Sequence, residues 1–229
     1  MEWDKTLQLA EKLLETDSSV VGEKWWNSRA KRYYEWILGA AMLVPALSVA
    51  MFGAVPVWCG DRKNPFVALR RVHPGMGELK ILKVRSMHEG SEKLEADLPP
   101  TILLKNGYDP RVTPVGRYLR RFSVDELPQV LNVVNGDLAL VGARHWSPRE
   151  WDTMIEPNLD KDPFKSLIGH YKNGLSWGVV GLGCVLYRDG VDMERRCELE
   201  LMYANRASFV GDWRIIRHMV ASGVLMRGK

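Results

Sequence analysis

The stretch WILGAAMLVPALSVAMFGAVPVWC, from Trp36 to Cys59, carries no charged side chain. As an α-helix its roughly 24 residues would reach about 36 Å, enough to cross a hydrocarbon layer of about 30 Å. Such a run restricts the chain to architectures in which this helix meets lipid or is buried in a core, and its length favours lipid. Pro45 lies near its middle, where a missing N–H and a ring clash bend or break a helix. Basic residues flank both ends: Lys24, Arg29, Lys31 and Arg32 before it, Arg62, Lys63, Arg70 and Arg71 after it. A spanning helix gathers Lys and Arg on its cytoplasmic side, so symmetric flanks fit a helix that enters, bends and leaves by one face. Ser48 is then placed to satisfy backbone groups freed near the bend. Length fits a spanning helix equally well, and the sequence leaves both arrangements open. A signal peptide fits poorly, because a long polar and charged segment precedes the run.

The rest of the chain divides around this helix. Residues 1–30 read as an amphipathic helix and linker, with Trp3, Leu7, Ala10 and Leu14 at three- and four-residue steps and TDSS as the break. Residues 31–60 form the membrane-inserted helix. In EKWWNSRAKRYYEW aromatic and basic residues interleave, which beside an uncharged run reads as interfacial anchoring. Residues 61–229 read as a compact, mixed α/β part, rich in helix with few short strands. FVALRRV and ELKILKVRSM are strands around a His73-Pro74-Gly75 turn, and GSEKLEADLPP is a helix end or loop. TPVGRYLRRFSVDELPQVLNVVNG gives two helical pieces, the second capped by Ser123 and ended by Gly136. DLALVGARHW is a strand and turn, and residues 192–226 are mostly helical. A net charge of +4 suits anionic partners such as phosphorylated ligands or acidic lipid. It suits nucleic acid too, but the uncharged run makes that reading improbable. Cys59, Cys184 and Cys197 show neither disulfide nor zinc spacing.

Chemistry concentrates in RRFSVDELPQVLNVVNGDLALVGAR, residues 120–144, where Asp125 and Glu126 stand among Arg117, Arg120, Arg121 and Arg144. Carboxylates in a first helical turn are stabilised by the macrodipole and need do nothing else. The longer stretch DPRVTPVGRYLRRFSVDELPQVLNVVNGDLALVGAR resembles the core of the bacterial sugar transferases, the monotopic polyprenyl-phosphate phosphoglycosyl transferases that begin glycan assembly on a lipid carrier. KRYYEWILG with its apolar run and KVRSM, residues 83–87, are similar to further segments of that family.

The resemblance implies transfer of a sugar phosphate from a UDP-sugar to polyprenyl (undecaprenyl) phosphate, with release of UMP. This is the first membrane step of exopolysaccharide, O-antigen or glycoprotein glycan assembly, at the cytoplasmic face of a bacterial inner membrane. It implies Asp125 as the nucleophile of a covalent aspartyl intermediate and Glu126 as the residue that holds Mg²⁺. Arg120 and Arg144, and more weakly Lys83 and Arg85, are implied at the phosphates. Membrane lipid is the implied surroundings, and a homodimer is left open. The chain departs from the family at VGARHW, where two prolines are replaced, at Asn173, at His73, and at Glu200, where aspartate is usual. A silent membrane-bound relative acting as a scaffold is the rival reading.

Overall fold

The computed structural model describes residues 3–74, 77–91, 109–187 and 192–222. Two short helices, α1 (Trp3–Leu14) and α2 (Glu23–Trp26), lead into the apolar run, which forms one helix, α3 (Arg29–Asp61). Ser28 starts α3 by accepting from the Lys31 N–H at 3.0 Å, and Arg62 closes it in the left-handed conformation. The chain stays helical through Pro45 and also Pro56. Beside Pro45, the Ser48 hydroxyl donates to the Val44 carbonyl at 2.9 Å.

One stripe of α3 is buried from end to end: Lys31, Glu35, Gly39, Ala46, Ala50, Ala54 and Val57. Small residues let neighbouring elements approach; a Cβ on Gly53 would lie 2.8 Å from a Val124 methyl and 2.9 Å from a Leu119 methyl. The opposite surface leaves Trp36, Ile37, Val44, Met51, Phe52, Val55 and Trp58 exposed. The helix is thus long and apolar enough to enter a bilayer, while its stripe packs along the folded domain.

After α3 come an antiparallel hairpin, β1 (Phe66–His73) and β2 (Gly77–Val84), and then α4 (Pro114–Arg121) and α5 (Gln129–Asn135). The strand β3 (Ala139–Val141) is followed by α6 (Pro148–Glu150) and α7 (Phe164–Lys172), and β4 (Gly178–Val180) pairs with β3 in parallel. The helices α8 (Leu182–Leu186), α9 (Met193–Arg206) and α10 (Phe209–Ala221) complete the described chain. The fold is therefore helix-rich α/β with two small sheets, as the sequence suggests. The segment 92–100 of GSEKLEADLPP and the Gly75 end of the hairpin turn lie outside the described residues. The main core gathers Trp146, Trp177, Tyr171, Tyr203, Leu199 and Ile215, and α1 adds Ala10, Leu13 and Leu14 to it.

Two local expectations change. Ser123 is not a helix N-cap: it has φ 53°, its side chain makes no cap bond, and α5 begins only at Gln129 after Pro128. Asp125 and Glu126 therefore sit on a separate 3₁₀ turn, Val124–Glu126, outside any α-helical first turn. Gly136 does end α5, with φ 82°. Lys31, counted among interfacial flanking cations, is buried. Its ammonium donates to Asp212 Oδ2 at 2.6 Å and the Val141 carbonyl at 2.9 Å, and lies 3.0 Å from Glu35 Oε1. The Tyr203 hydroxyl lies 3.4 Å away as a fourth oxygen, so the ammonium's three donors are shared among four partners. The Trp25 and Tyr34 side chains also donate to Asp212, so the start of α3 is bolted to α10 and β3.

Candidate active site

The hairpin register sets the first part of the site. Val67 faces Lys83, Leu69 faces Ile81 and Arg71 faces Leu79, so these six side chains share one face. Ile81 and His73 on that face are buried, which turns Lys83 and Arg71 toward the domain. Lys83 donates from Nζ to Glu126 Oε1 at 2.7 Å. Beyond the strand, Ser86 is buried and accepts from Arg120 Nε at 2.9 Å. The approach of α4 to Ser86 requires Gly116, where a Cβ would lie 1.9 Å from the Ser86 carbonyl oxygen. Asp109 and Arg111 form a two-pronged buried pair beside this segment.

The turn Val124–Glu126 is mounted on α3. Val124 and Leu127 pack against a cluster of Ala50, Ala54, Val57, Val84 and Leu119. Asp125 is only 5% exposed, and burial raises its pKa, with Glu126 adding to the rise and Lys83 and Arg120 opposing it. Glu126 reaches outward, its side chain 41% exposed. The structure thus brings Asp125, Glu126, Lys83 and Arg120 together.

It places the other two expected cations elsewhere. Arg85 makes a two-pronged pair with Asp61, at 2.6 and 2.8 Å, and donates to the Asn64 carbonyl, tying β2 to the end of α3. Arg144 lies beyond the turn after β3, where its Nη2 donates to Glu150 Oε1 at 2.8 Å and its Nη1 approaches Cys184. Glu150 is held for this role by a capping box with Ser147, a signature present in the sequence SPRE. Between the two groups stands His145, within electrostatic reach of Arg71, Lys83, Arg144 and Glu126.

Hard oxygens from two adjacent carboxylates suit Mg²⁺, which takes one or two protein carboxylates and completes its shell with water and phosphate. Among the described residues no three His, Cys, Asp or Glu side chains form a closed metal cage. Glu126, which reaches outward, is the carboxylate placed to share such an ion with a phosphate.

Fold and site describe a membrane-associated protein whose paired carboxylates lie among cations suited to a phosphate. The comparison with known sequences is more specific. The Bacterial sugar transferase family matches residues 26–225, and the chain belongs to that family. It is 28% identical over 199 residues to the galactosyl transferase CpsE of Streptococcus agalactiae, covering 84% of this chain and 42% of that protein. It is 29% identical over 210 residues to the exopolysaccharide production protein ExoY of Rhizobium meliloti, covering 87% of each. It is 36% identical over 109 residues to a UDP-N-acetylgalactosamine-undecaprenyl-phosphate N-acetylgalactosaminephosphotransferase of Aeromonas hydrophila, covering 47% of this chain and 24% of that protein. The chain thus spans less than half of the CpsE and Aeromonas proteins and most of ExoY.

Glu200, the departure on α9, yields a pH prediction. It is 1% exposed; Oε1 accepts from the Gly183 N–H at 3.2 Å, and the Arg144 backbone is also near its carboxylate. Burial raises its pKa to about 7, against the pull of Arg144 and Arg196. The folded state then holds this proton more tightly than the unfolded state. Stability is full below the ordinary glutamate pKa and falls as pH rises through about 7. Glu200→Gln is therefore expected to raise stability at pH 8 by up to roughly 3 kcal/mol and to change little near pH 4.5. Denaturant titrations of the detergent-held protein at both pH values check this; an equal effect at both would refute it.

Proposed function

We propose that the protein transfers a sugar phosphate from a UDP-sugar to polyprenyl phosphate and releases UMP, at the cytoplasmic face of the membrane. The observation that carries this reading is the mounting of Asp125, with Lys83, Glu126 and Arg120, on a turn packed directly against the apolar helix. That position suits a site shared by a water-soluble donor and a lipid-borne acceptor. The names of the relatives support the donor and acceptor classes.

In the first step an Asp125 carboxylate oxygen attacks the sugar-linked phosphorus. A P–O bond to it forms while the bond to the bridging oxygen breaks, and UMP leaves with that oxygen. In the second step a phosphate oxygen of polyprenyl phosphate attacks the same phosphorus and expels the Asp125 carboxylate. Covalent catalysis divides one anion-on-anion transfer into two steps. Burial leaves the Asp125 carboxylate poorly hydrated, and Lys83 and Arg120 offset the charge that gathers around it. Glu126 would hold Mg²⁺, which when bound neutralises charge on the phosphates. Arg144, oriented by Glu150, supplies a guanidinium at the far side, and Arg85 keeps β2 aligned with α3. UMP release by purified protein from a panel of UDP-sugars with polyprenyl phosphate tests the reading. No release with any donor would favour the scaffold role.

The same reading places α3 within one leaflet. Its two ends are tied to one domain, through Lys31 with Asp212 and through Arg85 with Asp61. Its buried stripe, moreover, runs between them. Around it, Tyr118 on α4, Phe122 just after it, and Phe209, Trp213 and Val220 on α10 are exposed, as for side chains seated at an interface. Single cysteines at residues 5 and 220, in a chain lacking the native three, are expected to resist an impermeant thiol reagent in intact cells and to react after lysis. Labelling of residue 5 alone in intact cells would establish a spanning helix instead.

A further inference from the structure

The turn after β3 departs from the family at His145, and its surroundings give that histidine work. The Val72 N–H donates to the Trp146 carbonyl at 3.1 Å, and Ala143 bridges to Trp177, so the turn is pinned between β1 and the strand β4 region. His145 packs edgewise on Trp177, with ring centroids 6.1 Å apart. Its Nδ1 lies 3.2 Å from Arg71 Nε. An arginine Nε can only donate, so Nδ1 is the acceptor and the ring proton sits on Nε2. Among the described residues nothing accepts from that Nε2–H, and the ring is only partly covered. Because Nδ1 accepts from Arg71, the ring is neutral; desolvation and the nearby cations Arg71, Lys83 and Arg144 likewise hold its pKa well below the ordinary value. A neutral donor held by Arg71, with Lys83 and Arg144 within electrostatic reach, is suited to an oxygen of a multiply charged anion.

We propose that His145, oriented by Arg71, donates from Nε2 to a diphosphate oxygen of the nucleotide-sugar and so sets the affinity for the donor; this rests on the transferase reading above. A histidine that merely fills space against Trp177 is the competing explanation. Full-length protein in detergent separates the two. His145→Phe and His145→Met keep bulk and lose the donor, whereas His145→Gln returns an N–H close to the Nε2 position. Both donor-free variants are expected to raise the KM for UDP-sugar and the calorimetric Kd for UDP about tenfold, with the KM for polyprenyl phosphate unchanged. His145→Gln should stay within about threefold of wild type on both readouts, because it restores the hydrogen bond. Wild-type values for either donor-free variant would overturn the proposal. So would equal losses in all three variants, or a loss that falls on the lipid acceptor. If wild type binds UDP and the variants rank as expected, but no UDP-sugar yields UMP, the transferase reading fails while the diphosphate contact stands. Absence of UDP binding by wild type would remove the contact itself.

Discussion

Asp125→Asn is expected to abolish UMP release and at the same time to leave the protein as stable as wild type or more so. Asparagine matches the volume of aspartate but cannot attack phosphorus, so activity should fall by on the order of 10⁴-fold or more. The stability half follows from burial. Asp125 is 5% exposed and its pKa is raised, first by desolvation and then by Glu126. The folded state therefore binds this proton more tightly than the unfolded chain, and stability declines as pH rises past the ordinary aspartate pKa. At neutral pH a neutral asparagine removes that cost. With a UDP-sugar and no lipid acceptor, intact-protein mass spectrometry should show a sugar phosphate on wild type and none on Asp125→Asn. Glu126→Gln should behave differently. It keeps the nucleophile, removes the charge that pairs with Lys83 and would bind metal, and should regain a trace of activity at high Mg²⁺. Wild-type turnover by Asp125→Asn would end the covalent mechanism proposed here.

Lys31→Met is expected to be the most damaging single change outside the site, at about 3–5 kcal/mol of stability. The ammonium lies within 3.0 Å of both Asp212 and Glu35, and all three side chains are buried. Removing it leaves two carboxylates in a poorly solvated space with no cation between them. Asp212 would keep the Trp25 and Tyr34 donors, and Glu35 the Leu140 N–H at 2.9 Å, but hydrogen bonds alone do not replace the charge. Lys31→Met with Asp212→Asn should recover part of the loss, since residues in one network do not act additively. Equilibrium unfolding in detergent measures both. A loss under about 1 kcal/mol for Lys31→Met, the value of an exposed pair, would show that the network is solvated.

Composition and local pattern determined a good deal of this protein. An uncharged run of bilayer length can only be a helix that meets lipid or lies within a core, because its backbone must bond internally. Two short apolar, β-prone segments around a His73-Pro74-Gly75 turn specified the hairpin, and Gly136 specified the end of α5, since each depends on neighbours along the chain. The family motif likewise singled out Asp125, Glu126, Arg120 and Lys83, which the fold gathers.

Partnership across the chain was decided only by the tertiary structure. Nothing adjacent to Lys31 in sequence announces Asp212, and the same kind of residue pattern could have served as an interfacial cation. Arg85 and Lys83 are two residues apart, yet one pairs with Asp61 at the end of α3 and the other with Glu126. Arg71 reads as one more basic flank until the register sets it on the face of Lys83 and beside His145. Ser123 carries a capping side chain, but its positive φ and the packing of Val124 on α3 make a 3₁₀ turn instead. Local chemistry restricts what a residue can do. Which charge it meets is settled by packing of segments distant in sequence, because the cost of burying a charge is relieved only by the partner the fold delivers.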